Sequence, residues 1–404
     1  MLVRIAWRNI WRNKLRSLVI IISVILGLWA GAFIFGFYQG MMEKQINTAI
    51  TQQLSHIQVH NPVFKQNTEL ADTIAGVNNI SAFLEKNEEI KNFSRRVVIT
   101  GMASSPHASS GIKIYGVHPD EENKVTELES LVKEGNYFDD SSGNQVVIGQ
   151  KLLHKLKLQP GNKMVITFQN ISGELTAGAF RIKGVYKSNN SSIEESTAYV
   201  KAGEIETLIG ILDHYHEIAV LLNDNNKLDL VKSEIKTIAG NNLVESWREL
   251  SPELRLMIDS FDQYMYIIIG IILLALIFGI VNTMLMSVLE RYRELGVLMS
   301  IGLNKAKIFI MIMLETLFIT ISGCVIGLPL AWLSIVFFGY KGIDLSAFAE
   351  GLAAFGYGDI VYPKLDGIYY FEIGFMALLA TMIASIYPAR KALQLKPAEA
   401  IRKI

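Results

Sequence analysis

Four charged residues, Glu290, Arg291, Arg293 and Glu294, stand around Tyr292 directly after an apolar run long enough to cross a bilayer. The chemistry open to them is ion pairing at i, i+3 and i, i+4 spacing. A charge in hydrocarbon costs several kcal/mol, so the segment must lie at the membrane surface. Gly296 and Gly302 follow, and then a second crossing-length run begins. A short charged segment held at both ends can receive a push from a soluble partner. That layout suits a coupling element rather than a catalytic site. The plainer alternative is a solvated turn whose pairs contribute tenths of a kcal/mol.

Other reactive residue types form no comparable group. The seven histidines, His56, His60, His107, His118, His154, His214 and His216, are scattered; His56 with His60, or His214 with His216, share a strand face without a third ligand at useful spacing. No G-x-x-x-x-G-K-[ST] loop is present to cradle ATP phosphates, and neither H-E-x-x-H nor G-x-S-x-G occurs. The single cysteine, Cys324, lies in an apolar run and excludes a disulfide framework or a Cys-based metal site. A formal net charge of zero gives no general case for nucleic acid.

Half of the 404 residues are apolar, and four stretches reach the roughly 20 residues a membrane span needs. The expected organisation is an amphipathic elbow helix at 1–16, a first span at 17–40, an outer domain at 41–262, a second span at 263–289, a coupling loop at 290–307, a third span at 308–338, an outer loop at 339–369, a fourth span at 370–388 and a tail at 389–404. The first span follows a basic stretch but no small-x-small cleavage site comes after it, which reads as an uncleaved signal anchor. Lysine and arginine cluster before the first span, between the second and third, and after the fourth, whereas the 339–369 loop carries Asp344, Glu350, Asp359 and Asp366. Both termini and the coupling loop are therefore expected in the cytoplasm. Trp7 and Trp11 form the lipid side of the elbow helix, with Arg4, Arg8 and Arg12 recurring at the same spacing. Glu315 and Glu372 are expected at the membrane interfaces. Gly27 with Gly31, and Gly323 with Gly327 and Ala331, recur every four residues and predict close helix approach, inside the bundle or across a dimer.

The outer insert changes period at once. Strands are expected at Ser55–His60, Arg95–Thr100, Ile112–Val117, Gln145–Ile148, Lys163–Phe168, Phe180–Tyr186, Ser196–Val200 and Ile218–Leu222. Helices are expected near Ile80–Ile90, Gly149–Leu156, Ala202–Ile211 and Leu228–Ala239, and a turn at Gln159–Asn162. This order predicts an α+β domain with largely antiparallel sheet. Met41–Gln53 and Pro252–Asp262 continue the flanking helices as stalks. The fold class is thus a membrane α-helical chain of four transmembrane helices, with a large α+β extracytoplasmic domain inserted between the first and second.

The central loop, Asn282, Met284, Val288, Glu290, Arg291, Arg293, Glu294, Leu295, Gly296 and then Gly302, resembles the pattern of the FtsX/MacB/LolC–LolE superfamily of ABC-transporter permeases. The start RIAWRNIWRNKLRS resembles its elbow helix, NQVVIGQKLLHKLKLQPGNKMVITF its outer-domain strand–helix–strand, and SIYPARKALQLKPAEAIR, with Pro388, Ala389, Ala392, Pro397, Glu399, Ala400 and Arg402, its C-terminal signature. Met299 stands where the superfamily often has a basic residue, a departure that leans toward the lipoprotein-releasing branch. The resemblance implies a permease of the bacterial inner membrane, paired with a second copy or a second permease. It implies ATP and Mg bound by a separate cytoplasmic ATPase rather than by this chain. Glu290, Arg291, Arg293, Glu294, Gly296 and Gly302 would form the coupling element. The substrate would be a lipoprotein or another extracytoplasmic ligand; a MacB-like exporter of a toxin or small molecule and an FtsX-like regulator of a cell-wall hydrolase are the alternatives. Sparse intramembrane polarity suits force relay better than conduction through a polar lumen. Apolar walls at Phe33, Phe37, Ile267 and Ile271, facing membrane lipid between the first two spans of paired subunits, would suit acyl chains, each buried methylene contributing about 0.8 kcal/mol.

Overall fold

The computed structural model describes residues 2–12, 14–139, 143–188, 190–210, 212–300, 302–348, 351–352 and 357–394. Pro397, Glu399, Ala400 and Arg402 of the C-terminal signature, and Glu350 of the outer loop, lie outside them. Two compact units result, one of Met1–Met42, Ile258–Asp344 and Ile360–Ile404, the other of Glu43–Met257 with Leu345–Asp359.

The first unit is helical. We label its helices α1 (Leu2–Arg12), α2 (Lys14–Ala49), α3 (Pro252–Glu290), α4 (Tyr292–Ser300), α5 (Lys305–Lys341) and α6 (Gly367–Leu393). Four of them, α2, α3, α5 and α6, are long and apolar enough to cross a membrane. At 36 residues α2 is about 54 Å long, well beyond the roughly 30 Å of hydrocarbon. The small residues explain how the helices meet. A methyl at Gly323 would stand 2.5 Å from Val24 Cγ1, and one at Gly327 would stand 3.1 Å from Ile25 Cα, so α5 rests directly on α2. Ala331, next on that stripe, is fully buried. On its other side α2 meets α3, where a methyl at Gly27 would stand 2.9 Å from Leu276 Cδ1 and one at Gly31 3.7 Å from Ile272 Cδ1. These contacts lie within one chain. Val24, Leu28, Ile269, Leu276, Ile280 and Ile319 belong to the shared core.

The second unit is built on one ten-stranded sheet. Its strands are β1 (Ile57–His60), β2 (Ile90–Ser104), β3 (Ser109–Val117), β4 (Val132–Gly135), β5 (Gln145–Gly149), β6 (Lys163–Gln169), β7 (Leu175–Tyr186), β8 (Thr197–Lys201), β9 (Glu217–Leu222) and β10 (Leu243–Ser246). They run in the order β10-β1-β9-β2-β3-β8-β5-β7-β4, with β6 beside β2 and β7. Only β3–β8 and β5–β7 pair in parallel, so the sheet is largely antiparallel. All eight expected strands are present. The short edge strands β4 and β10 escaped the sequence reading because each offers only four residues of pattern. The helix expected to reach Ile90 stops at Lys86, and Ile90 instead opens β2. The Gln159–Asn162 turn is closed by Asn162 N–H donating to Gln159 O at 3.1 Å, with Gly161 at φ +85°.

One buried ionic group ties this sheet to a helix. Arg96 on β2 donates through Nε and Nη2 to Glu122, both at 2.8 Å, and through Nη1 to Glu217 on β9 at 2.6 Å. Arg96 and Glu217 are register partners across β2–β9, and Ser94 Oγ donates to Glu122 at 2.8 Å. All three charged residues are nearly inaccessible, and the one guanidinium faces two carboxylates, of which Glu217 is also attracted by Lys113 on β3. Two of the histidines accept from backbone. His56 Nδ1 accepts from Leu222 N–H at 3.1 Å, and His216 Nδ1 accepts from Val98 N–H at 3.2 Å.

Candidate functional site

The charged segment folds as α4, a helix of nine residues between α3 and α5. Its end is set by Gly302. Leu303 N–H donates to Leu298 O at 3.0 Å and Gly302 N–H to Met299 O at 3.1 Å, the paired closure of a helix whose C′ residue is left-handed. Gly302 takes φ +97°, which a residue with a Cβ adopts only under strain. Asn304 then caps α5 by accepting from Ala306 N–H at 3.3 Å. Gly302 therefore acts as the stop that lets the chain reverse into α5.

The two faces of α4 differ. Leu295 and Gly296 are buried, and Leu298, Met299 and Leu303 pack against the helical core. Arg293, Glu294, Val297 and Ser300 lie on the exposed side, and Glu290 is exposed just before the helix. The packed face fixes α4 to the bundle, and Arg293 and Val297 stay exposed on the other side.

Arg291 does not join the open face. Its Nη1 donates to both oxygens of Glu315 on α5, at 3.0 and 2.9 Å, and its Nε donates to Glu294 at 3.3 Å. Asn9 of α1 donates to Glu315 Oε1 at 2.5 Å, and Arg12 of α1 forms an ion pair with Glu294. Three helices are thereby joined through two carboxylates. Glu315, expected near a membrane interface, is 5% exposed within the helical unit, beside a cavity of about 20 Å³ that has room for one water. Burial opposes ionisation of Glu294, but Arg12 and Arg291 outweigh it and hold that carboxyl below its ordinary range.

The strengths are unequal. Arg12 and Glu294 are about half exposed, so their pair contributes at most about 1 kcal/mol. Arg291 and Glu315 are 13% and 7% exposed at their side chains, and removing either partner strands a largely buried charge. The i, i+3 pair of Arg291 and Glu294 is the contact a solvated turn would make by itself. The Glu315 and Asn9 contacts are what such a turn lacks. Sequence reading missed both partners, although a lone carboxylate in the apolar run of α5 was the available signal.

Of the residues expected to line a cleft between paired subunits, Phe33 and Phe37 lie on α2 and Ile267 and Ile271 on α3. Phe33 stacks on Trp29 and meets Phe338 of α5 edge-on, with ring centroids 5.9 and 5.7 Å away, and Phe37 is half-buried. Ile267 and Ile271 project from α3 at 61% and 63% exposure.

Comparison with known proteins agrees with this architecture. The family model described as MacB-like periplasmic core domain matches residues 17–238, more than half of the chain, and the model described as FtsX-like permease C-terminal matches residues 266–397. The chain is 23% identical over 348 residues to the lipoprotein-releasing system transmembrane protein LolC of Neisseria meningitidis serogroup B, covering 80% of this chain and 81% of that one. It is 21% identical over 385 residues to LolE of Haemophilus influenzae, covering 89% and 88%. To the macrolide export ATP-binding/permease protein MacB of Chlorobaculum tepidum it is 32% identical over 124 residues, covering 31% of this chain and 16% of that protein. With both family models matched and four membrane-crossing helices in place, the chain belongs to the ABC-transporter permeases of the FtsX, MacB and LolC/LolE type and is a multi-pass protein of the bacterial inner membrane.

Proposed function

We propose that this permease carries ATPase-driven motion across the membrane to its outer domain and that its cargo is lipoprotein. The carrying observation is α4: a short helix fixed to the bundle by an apolar face and by the adjacent Arg291–Glu315 pair, with Arg293 and Val297 exposed on its other side. The partner is a separate ATPase that binds ATP and Mg. Lysine and arginine placement puts α4 and both termini on its side, the cytoplasm. The working unit pairs two permeases, identical or different. Support for the cargo comes from LolC and LolE, which align along 80% and 89% of the chain and are named for lipoprotein release, whereas the macrolide exporter aligns along 31% of it. Extraction takes place in the outer leaflet between the first two spans of paired subunits, with Phe33, Phe37, Ile267 and Ile271 at the acyl chains.

The test is purification of the native complex, identification of its ATPase by mass spectrometry, and reconstitution in proteoliposomes carrying a triacylated lipoprotein. ATP-dependent release, with photocrosslinking of the lipoprotein from positions 33, 37, 267 and 271, is the expected result. ATP-dependent movement of a soluble compound without lipoprotein release, and crosslinks confined to the outer domain, would refute it.

A further inference from the structure

Helix α1 is divided lengthwise into stripes of different chemistry. Ala6 and Ile10 are buried in the helical core. On one flank Asn9 and Arg12 hold Glu315 of α5 and Glu294 of α4. On the other, Val3, Trp7 and Trp11 recur every four residues and are each about half exposed. Between the two flanks, away from the core, stand Arg4 and Arg8, both exposed. Neither arginine has an ion pair or a hydrogen bond among the described residues. The carboxylates in contact with α1 are already matched, Glu294 by Arg12 and Arg291, and Glu315 by Arg291 and Asn9. The charge of Arg4 and Arg8 is therefore uncompensated within the protein.

An uncompensated basic stripe beside an exposed apolar one suits either a lipid surface or an acidic protein. The tryptophans decide between them. Trp7 meets Phe318 of α5 edge-on, with ring centroids 5.6 Å apart, and Trp11 meets Trp7 at 6.1 Å. Phe318 belongs to the apolar run of a membrane-crossing helix, so the tryptophan stripe lies at a depth that a soluble protein does not reach. Indole rings favour the headgroup level, with the apolar body inward and the N–H toward water. Arginines next to them reach the phosphates, to which a guanidinium donates two parallel hydrogen bonds. A zwitterionic headgroup sets its own ammonium against that phosphate. An anionic headgroup has no such internal partner and gains more from the arginines.

We propose that α1 binds anionic phospholipid of the leaflet at which it lies, in preference to zwitterionic lipid, with Arg4 and Arg8 on the phosphate and Trp7 and Trp11 beside the upper acyl chain. That this leaflet is the cytoplasmic one rests on the orientation proposed above; the preference itself does not, because nanodisc lipid surrounds both ends of the protein alike. The full-length protein is placed in phosphatidylcholine nanodiscs that contain a small, equal fraction of either phosphatidylglycerol or phosphatidylcholine brominated on its acyl chains. Bromine quenches indole fluorescence only on close approach, so quenching reports which lipid sits beside the rings. Each arginine near an anionic headgroup favours association about fivefold, which for two gives up to about 25-fold enrichment of phosphatidylglycerol. Brominated phosphatidylglycerol should therefore quench the protein several-fold more strongly than brominated phosphatidylcholine. The excess should vanish in Trp7→Phe with Trp11→Phe, which removes the reporters, and in Arg4→Gln with Arg8→Gln, which removes the charge. Arg4→Lys with Arg8→Lys should keep most of it, and high salt should weaken it. An excess that survives in Arg4→Gln with Arg8→Gln would overturn the proposal. Equal quenching of the unmutated protein by the two lipids would do so without recourse to any variant, and would leave the arginines to an acidic protein.

Discussion

Removing Arg291 should harm this protein more than removing Glu315, and removing both should harm it least. Arg291→Met leaves Glu315 with only the Asn9 amide as a donor, at 2.5 Å, inside a site that is 5% exposed. A stranded buried charge costs about 3–5 kcal/mol. Glu315→Met leaves Arg291 in contact with Glu294, which is about half exposed and can follow it toward water. That loss is closer to the 1–3 kcal/mol of a buried group left unsatisfied. Arg291→Met with Glu315→Met replaces the pair by apolar volume, which for buried pairs is often neutral or stabilising.

The assay is a double-mutant cycle on the full permease in nanodiscs, with thermal unfolding followed by tryptophan fluorescence. A coupling energy of about 2 kcal/mol or more between the two positions is expected, since residues in one ionic network do not add. The same four proteins, assembled with the ATPase, should show the double variant stable but impaired in substrate-stimulated hydrolysis, because α4 then rests on its apolar face alone. Additive single effects would mean that the pair does not exist in the membrane. A stable double variant with normal stimulation would remove the pair from the coupling mechanism.

Further outcomes follow from other contacts. Ser55→Gly should raise the unfolding midpoint, gaining about 1–3 kcal/mol from relieved strain less about 0.5–1 kcal/mol of glycine entropy; a lower midpoint in thermal unfolding would show that Ser55 is not strained. Gly323→Leu should destabilise the helical unit by about 1–3 kcal/mol, since even a methyl would stand 2.5 Å from Val24, while Gly270→Ala, whose added methyl meets nothing within 4 Å, should be neutral in the same scan. Glu294→Lys should leave insertion and expression unchanged yet reduce ATPase stimulation, because it places a cation against Arg12 and Arg291; unchanged stimulation would exclude α4 from coupling. Acid should loosen the outer domain early: burial, with Lys91 nearby, pulls His56 from 6.5 to about 4, so its contribution is complete above pH 6.5 and declines as pH falls toward 4, and His60 and His216, lowered by burial, act in the same direction. The unfolding midpoint measured between pH 7 and pH 4 should fall, and a flat profile for the triple variant His56→Gln, His60→Gln and His216→Gln would identify the source.

The parts of the architecture legible in the sequence were those whose signal is local. A membrane span declares itself by length and hydropathy, and strands such as Lys163–Gln169 by alternation, because burial repeats with the geometry of the element itself. The charged segment was legible for the same reason, as polarity that hydrocarbon cannot accept. What was not legible depends on residues that meet only after folding. Glu315 reads as a stray carboxylate near a span end until Arg291, Asn9 and the packing of α5 on α1 bring it inside. Gly302 stood out as part of a pattern, but its φ of +97° shows that the helix end requires glycine there whatever binds nearby. Ser55 carries no sequence mark of its backbone angles, φ 56° and ψ 179°.

The contacts of α4 also differ in how readily they yield. Arg291, just before the helix, makes a largely buried guanidinium–carboxylate pair with Glu315 of α5, and the apolar face of α4 packs in the helical core. Toward α1 its Glu294 has only a half-exposed ion pair, which water can replace at a cost below about 1 kcal/mol. A force applied to the open face of α4 therefore separates it from α1 before it separates from α5. On the proposed reading that order is useful, because displacement entering at α4 then passes into a helix that packs through Gly323 and Gly327 directly on α2. The stripe of small residues matters here for stiffness as much as for stability. With backbone so close to side chain there is little compressible volume between the two helices, and close-packed interiors transmit strain instead of absorbing it. A bundle joined to its coupling helix by flexible surface pairs alone would lose such a push at the first contact.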